Sequence, residues 1–193
     1  MKIFPEQYLK LQEEEAGEWA GGWADQMLDA LYQSVSNLSL DSKIIDLGCN
    51  LGRSCFELEN KGYINVYGVD LVPSKTRNAR KMGLNILTMN IEDLSMFSDQ
   101  YFDFAFMSHA IEHTLNPSKA IKEMFRIAKA GLIICPLEET QEHKENTPHT
   151  SPFYTKEQWL EVLNSTEKPY SQDKILESIS MSRLGNEVWT SFK

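Results

Sequence analysis

Residues 43–53, which read KIIDLGCNLGR, decide the fold of this chain. The short apolar run Lys43–Leu47 predicts a buried strand, and the pattern over Arg53–Lys61 predicts a helix directly after it. Gly48 and Gly52 stand in the turn between them, where glycine lets the backbone pass close to a ligand. The start of the helix adds free N–H groups. The segment therefore predicts a ligand-binding loop between a strand and a helix.

Two known phosphate-binding patterns do not fit this loop. A P-loop needs Gly-Lys-Ser/Thr, which is missing here. The dinucleotide fingerprint needs a second glycine where Asn50 stands, and its third glycine is missing as well. Asparagine is the non-glycine residue that most readily adopts positive φ, so the turn itself is still expected.

Strand and helix patterns alternate along most of the chain. Further strands are predicted at Ile64–Val69, Asn85–Met89, Phe102–Met107 and Gly131–Cys135, and further helices at Pro73–Met82 and Pro117–Lys129. This alternation indicates right-handed βαβ units and a parallel sheet covered on both faces.

The last part of the chain departs from that alternation. Phe153–Leu163 predicts a helix with Thr155 as its N-cap, and Lys174–Met181 and Glu187–Phe192 predict an antiparallel hairpin. The predicted fold is α/β, a Rossmann-like, mostly parallel, seven-stranded sheet with helices on both faces and a C-terminal antiparallel hairpin. We expect one compact domain, with residues 1–40 as an N-terminal helical segment and 41–193 as the ligand-binding domain.

Composition narrows the function classes. The 193 residues include 28 acidic side chains against 19 Lys and Arg, a formal charge of −9, which argues against a duplex nucleic-acid binder. Apolar runs such as Gly131–Pro136 are far below the roughly 20 residues of a membrane span. Glu13, Glu14 and Glu15 interrupt the N-terminus, so no signal peptide, no membrane partner and a cytoplasmic location are expected.

Asp70 closes the second predicted strand. It follows the glycine loop by about twenty residues, where α/β nucleoside sites place a carboxylate that accepts both ribose hydroxyls. A carboxylate here would also repel a 2′-phosphate. The alternative is structural, with Asp70 as the N-cap of the helix that begins at Pro73.

The segment Ser108–His113 holds a His-x-x-Glu-His motif. The same spacing occurs in inverted zinc proteases, which need the motif inside a helix and a third ligand downstream. Here the motif directly follows a predicted strand, and His143 and His149 form no recognisable ligand spacing with it. Alternatively, Glu112 and His113 simply cap a turn.

Four blocks in this order resemble class I S-adenosylmethionine-dependent methyltransferases, most closely the methyltransferase type 11 group. The blocks are Ile45–Gly52, Gly68–Asp70, Asn90–Leu94 and Phe102–Ala105, and the resemblance covers about residues 41–163. It implies S-adenosylmethionine as cofactor, S-adenosylhomocysteine as product, no metal, and an N-terminal lid. Trp19 and Trp23, four residues apart, could form that lid or simply pack on the sheet.

The resemblance also implies roles for particular residues. The methionine and ribose end of the cofactor would contact Asp46, Gly48, Asn50 and Gly52, and its ribose would also contact Asp70. Its adenine would contact Leu71, Ile91 and Glu92, and the backbone at His109 would approach the methionine moiety. Asn50 is the departure from the usual glycine.

The acceptor is expected to be a small molecule methylated on a hydroxyl, as in a sugar, lipid precursor or other metabolite. A hydroxyl must lose its proton, and His113 and His149 are the candidate bases. Two alternatives remain, a non-catalytic cofactor-binding protein on the same fold and a zinc hydrolase. The sequence predicts no oligomeric state.

Overall fold

The computed structural model describes residues 22–137, 151, 153, 155–166, 176–181 and 187–193. The strands are β1 (Lys43–Leu47), β2 (Asn65–Asp70), β3 (Ile86–Thr88), β4 (Phe102–Ser108), β5 (Ala128–Pro136), β6 (Leu176–Met181) and β7 (Glu187–Phe192). The helices are α1 (Gly22–Val35), α2 (Arg53–Asn60), α3 (Pro73–Lys81), α4 (Pro117–Ile127) and α5 (Lys156–Ser165), with a 3-10 helix at Ile111–His113.

These strands form one sheet in the order β3-β2-β1-β4-β5-β7-β6. Strands β1 to β5 pair in parallel, β7 pairs antiparallel with β5, and β6 pairs antiparallel with β7. The strand order reverses between β1 and β4, and open α/β sheets bind ligands at the carboxyl ends of the strands beside such a reversal. The prediction of a Rossmann-like α/β fold is confirmed.

Apolar side chains cover both faces of the sheet. One core cluster includes Leu31 of α1 and Phe56 of α2, and the other includes Phe125 of α4 and Trp159 of α5. The indole Nε1 of Trp159 donates to Thr190 Oγ1 at 2.8 Å, which fixes α5 on β7. The side chains of Trp19 and Trp23 lie outside the described residues, so the lid hypothesis stays a prediction.

Several boundaries differ from the sequence prediction by one to three residues, and the junction between α4 and β5 has a clear tertiary cause. The helix expected to continue to Lys129 ends at Ile127, and the following strand begins at Ala128, three residues before Gly131. The reason is tertiary, because Ala128 pairs with Phe102 and is fully buried. The predicted N-cap of α5 is confirmed, since Thr155 and Gln158 form a reciprocal capping box.

Arg126 of α4 fixes the loop between β3 and β4. Its guanidinium donates to the carbonyl oxygens of Phe97, at 2.8 Å, and Leu94, at 2.9 Å. It also pairs with Glu123 at 2.8 Å, and this pairing lowers the pKa of the Glu123 carboxyl. Glu123 in turn accepts a hydrogen bond from the Leu94 N–H at 2.7 Å. The guanidinium therefore joins α4 to the loop that follows β3.

Candidate functional site

The glycine loop after β1 touches the segment after β4. Gly48 has φ +82°, and a Cβ atom placed there would lie 2.4 Å from Cβ of Ala110. No side chain fits between these backbones, so glycine is required for both conformation and space. The loop after β1 and the segment after β4 are therefore in direct contact at the carboxyl edge of the sheet.

Asp70 lies at the end of β2 and faces the same loop. Its Oδ2 accepts the N–H of Asn50 at 2.9 Å, and its Oδ1 accepts the N–H of Val72 at 2.9 Å. Asn50 has φ +52°, so asparagine supports the turn in place of glycine as expected. A carboxylate oxygen accepts about two hydrogen bonds, so both oxygens retain capacity for ribose hydroxyls. The N-cap alternative for Asp70 is wrong, because the N-cap of α3 is Val72 and has no side-chain cap.

An exposed apolar side chain stands beside this carboxylate. Leu71 directly follows Asp70 and is 64% exposed. Gly52 is the N-cap of α2 with φ +81°, and a Cβ there would lie 2.8 Å from Leu84 Cδ1. A polar ribose anchor next to an open apolar face fits a nucleoside whose base packs on Leu71.

Asp46 is a buried acid of β1, directly before the glycine loop. Only 5% of the residue is exposed, and burial raises the pKa of Asp46 to about 7, with a further rise from the charge of Asp70. The hydroxyl of Ser54 donates to Asp46 Oδ2 and opposes that rise. Near neutral pH, Asp46 is therefore an acid that a bound cation would ionise.

The predicted adenine contacts after β3 are more buried than Leu71. Ile91 is 8% exposed and packs in the core. Glu92 is 9% exposed, and its Oε1 accepts the N–H of Leu115 at 2.7 Å. Glu92 thus braces the loop after β3 against the loop after β4, and its contact with adenine stays a prediction.

His109 follows β4 in a left-handed conformation, φ +49°. Its Nε2 lies 3.0 Å from Oε1 of Glu187, and its Nδ1 lies 3.9 Å from Oε1 of Glu112. The other oxygen of Glu187 accepts the indole N–H of Trp189 at 2.9 Å. Sequence reasoning missed Glu187, because 78 residues separate it from His109 and only the pairing of β7 with β5 brings it to this edge.

The two candidate bases are placed differently. His113 ends the 3-10 helix and is exposed to solvent, with its N–H bonded to the carbonyl of Ala110 at 3.2 Å. His149 lies outside the described residues. Ser151, two residues later, donates its N–H to the carbonyl of Glu112 at 2.9 Å. The chain after β5 therefore returns to the loop after β4, while the catalytic role of both histidines stays a prediction.

The His-x-x-Glu-His motif does not have the geometry of a zinc protease. Residues 111–113 form a single 3-10 turn, and His109 precedes it in a left-handed conformation. The protease motif needs both histidines on one face of an α-helix. In the part of the chain that the structure describes, no group of three or more His, Cys, Asp or Glu side chains could hold a metal ion.

A groove of about 390 Å³ lies at the opposite, amino edge of the sheet. Its lining includes Tyr32, Lys61 and Tyr63. The Lys61 ammonium stands 3.9 Å above the Tyr32 ring, and the Tyr63 hydroxyl donates to the Val35 carbonyl at 2.7 Å. Each of these polar groups already has a contact within the chain, and the groove lies at the edge opposite the glycine loop, so we place the functional site at the carboxyl edge.

Taken together, the strand reversal, the glycine loop and Asp70 form an arrangement that fits a nucleoside-containing ligand. The model of the family described as methyltransferase domain matches residues 45–135. These residues resemble that family's domain, and the chain shares its fold with solved structures of S-adenosylmethionine-dependent methyltransferases. The resemblance stated from the four sequence blocks is confirmed.

The match to each of two curated relatives covers only part of that relative's length. Ajmaline N-methyltransferase of Rauvolfia serpentina is 30% identical over 112 residues, which cover 54% of this chain and 38% of that protein. An S-adenosyl-L-methionine-dependent Diels-Alderase of Talaromyces variabilis is 25% identical over 127 residues, 60% of this chain and 43% of that protein. The chain thus spans about two fifths of these curated relatives. A solved structure from Pyrococcus horikoshii OT3 shares the fold over 99% of both chains, with a TM-score of 0.69 and 17% identity.

Proposed function

We propose that this chain transfers the methyl group of S-adenosylmethionine to a hydroxyl of a small molecule, such as a sugar, lipid precursor or other metabolite. The observation that carries the proposal is the joining of Asp70 to the glycine loop through Asn50, at the strand reversal of a methyltransferase-family domain. Two relatives support it by name, one as a methyltransferase and one as dependent on this cofactor.

The cofactor would be held by residues from four loops. They are Asp46, Gly48, Asn50 and Gly52 after β1, Asp70 and Leu71 after β2, Ile91 and Glu92 after β3, and the backbone at His109 after β4. Bound S-adenosylmethionine supplies an electrophilic methyl group on a sulfonium. Asp70 would accept the ribose hydroxyls, Leu71 would pack on the base, and Asp46 would balance the positive charge of the methionine end.

Orientation and proton removal would be the remaining tasks of the chain. Holding the two reactants in line is worth up to about 7–11 kcal/mol in favourable cases. A hydroxyl acceptor also needs a base, and we propose His113, after β4, and His149, after β5, for that role. The Ser151–Glu112 hydrogen bond supports this pairing, since it brings the segment next to His149 to the loop that carries His113.

The proposed partner is a small molecule and not nucleic acid. A formal charge of −9 disfavours the many phosphate contacts of a nucleic-acid binder. Among the described helices, none has the length and apolar character needed to cross a membrane.

The test has two stages on the full chain. Calorimetry with S-adenosylmethionine and S-adenosylhomocysteine measures cofactor binding, for which we expect a Kd in the micromolar range, about −8 kcal/mol. Pools of hydroxyl-bearing acceptors are then screened for release of S-adenosylhomocysteine. His113→Ala or His149→Ala should lower turnover by roughly 10²–10⁴-fold with little change in cofactor affinity. Glu161→Gln, an exposed change on α5, is the matched control.

The second candidate is a cofactor-binding protein that does not transfer methyl groups. The Diels-Alderase among the relatives favours keeping it, because that protein is named for a different reaction. Cofactor binding without release of S-adenosylhomocysteine from any pool would select this candidate. Absence of binding by either ligand would contradict both.

A further inference from the structure

His109 lies between two buried carboxylates. Its side chain is 17% exposed, while the side chains of Glu112 and Glu187 are 2% and 5% exposed. Glu112 comes from the same loop, and Glu187 comes from β7. Oppositely charged groups 3–4 Å apart in a protein interior interact strongly. A positive charge that forms on this imidazole is therefore stabilised from two sides.

Glu187 also selects the tautomer of His109. Its Oε2 accepts the indole N–H of Trp189, and its Oε1 faces Nε2 of His109. When Glu187 is ionised, its oxygens only accept hydrogen bonds, and Nε2 is then the protonated nitrogen of neutral His109. The basic lone pair is then on Nδ1.

The imidazole stands at the strand reversal. The backbone N–H of His109 bonds to the carbonyl of Ile134 at 3.0 Å, which ties the residue to the end of β5. The next residue, Ala110, packs directly against Gly48 of the glycine loop. His109 is therefore one residue away from the loop that would hold the methionine end of the cofactor.

We propose that His109 accepts the proton of the methyl acceptor and that Glu187 is its positioning residue. This inference rests on the proposed methyl transfer from S-adenosylmethionine. It assigns the base to His109 in place of His113 and His149, and it gives His109 a side-chain role in addition to the backbone contact. In the step, the acceptor heteroatom bonds to the methyl carbon while the carbon–sulfur bond breaks and its electron pair stays on sulfur. The proton leaves the acceptor atom for Nδ1 of His109, and Glu187 and Glu112 stabilise the resulting imidazolium.

The inference also limits the acceptor class. A base is useful only if the nucleophilic atom carries a proton, as in an O–H or N–H group. The carboxylates of Glu112 and Glu187 would repel an anionic group placed beside His109. The acceptor is therefore neutral or cationic near its reacting atom.

The test is an NMR pH titration of the imidazole signals of the full chain, which has four histidines. S-adenosylmethionine carries a positive charge on sulfur that S-adenosylhomocysteine lacks. If His109 stands beside the methyl group, its proton affinity should be about tenfold or more lower in the S-adenosylmethionine complex than in the S-adenosylhomocysteine complex. A histidine with only a structural role elsewhere would not sense this difference.

Glu187→Gln tests the positioning residue, with Glu161→Gln as control. The first change should lower the proton affinity of His109 about tenfold or more and leave S-adenosylhomocysteine affinity within a factor of a few, while the control changes neither. Equal His109 titrations in the two wild-type complexes would overturn the inference without any variant having to fold. If wild type binds neither ligand, the proposed function fails, and this inference fails with it.

Discussion

The buried acid Asp46 makes cofactor binding depend on pH. In the ligand-free chain the pKa of Asp46 is raised to about 7, chiefly by burial. S-adenosylmethionine carries positive charges on its sulfonium and ammonium groups, which favour the ionised form of a nearby carboxylate. Binding below pH 7 therefore requires Asp46 to lose a proton, and the apparent affinity should fall as pH falls.

The magnitude follows from the fraction of Asp46 that is ionised. With a pKa of about 7, roughly half of the chains are ionised at pH 7 and about one in a hundred at pH 5. If only the ionised form binds, the apparent Kd rises about 50-fold between pH 7 and pH 5, which is about 2.3 kcal/mol. Above pH 8 the curve should be nearly flat.

Isothermal titration calorimetry at pH 5, 6, 7 and 8 measures this dependence. Repeating each titration in buffers of different ionisation enthalpy counts the protons released. Asp46→Asn is the matched variant, because it removes the charge, keeps a partner for Ser54 and shares every titration of the ligand itself. Parallel pH curves for wild type and Asp46→Asn would refute the reasoning.

The free energy of unfolding of the ligand-free chain should also depend on the protonation of Asp46. Here the protonated form stabilises the fold, whereas cofactor binding needs the ionised form. The folded-state pKa of Asp46 is above its ordinary value of 3.8, so the folded chain binds more protons than the unfolded chain between about pH 4 and 7. The contribution of Asp46 to stability is therefore greatest at low pH and declines as pH rises through this window. Denaturant unfolding should show this decline in wild type and not in Asp46→Asn.

Three further changes test the site and its support. Asp70→Ala should weaken S-adenosylmethionine binding by roughly 1.5–3 kcal/mol in calorimetry, because it removes charge-assisted hydrogen bonds to the ribose, and an unchanged Kd would rule out that role. Gly48→Ala should abolish cofactor binding and lower the melting temperature, since the residue has φ +82° and its Cβ would overlap Ala110; a melting curve like wild type would contradict the packing. Arg126→Met should destabilise the fold by about 1–3 kcal/mol in denaturant unfolding, because it removes the guanidinium that bonds Glu123 and the carbonyls of Leu94 and Phe97, and an unchanged free energy of unfolding would show that the network contributes little.

Local patterns predicted most of the fold and the conformation of the loop in which the proposed cofactor site begins. The alternation of apolar runs and helices identified the parallel strands, and the turn after β1 needed residues that tolerate positive φ. Asp70 was recognisable because its distance from that turn is set by one βα unit. Each of these signals spans about thirty residues or fewer, so the sequence carries them directly.

Contacts between distant segments could not be predicted. Glu187 looks like an ordinary polar residue at the start of a strand, and nothing near it in sequence points to His109. Arg126 and Glu123 form a recognisable pair three residues apart, but the bonds from Arg126 to Leu94 and Phe97 depend on how α4 packs. Ala128 joined a strand and not a helix for the same reason, since its pairing with Phe102 decides its conformation.

The position of β7 sets an order for folding during synthesis. In the sheet, β7 lies between β5 and β6, although β6 precedes it in the chain. Residues 176–181 therefore emerge from the ribosome before the strand that connects them to the sheet exists, and they must wait for residues 187–192. Glu187 is the first residue of β7. A nascent chain that ends before β7 therefore already contains the glycine loop but does not yet contain Glu187. A ribosome that stalls before residue 187 would thus present the glycine loop and Asp70 without the carboxylate that lies 3.0 Å from His109 Nε2.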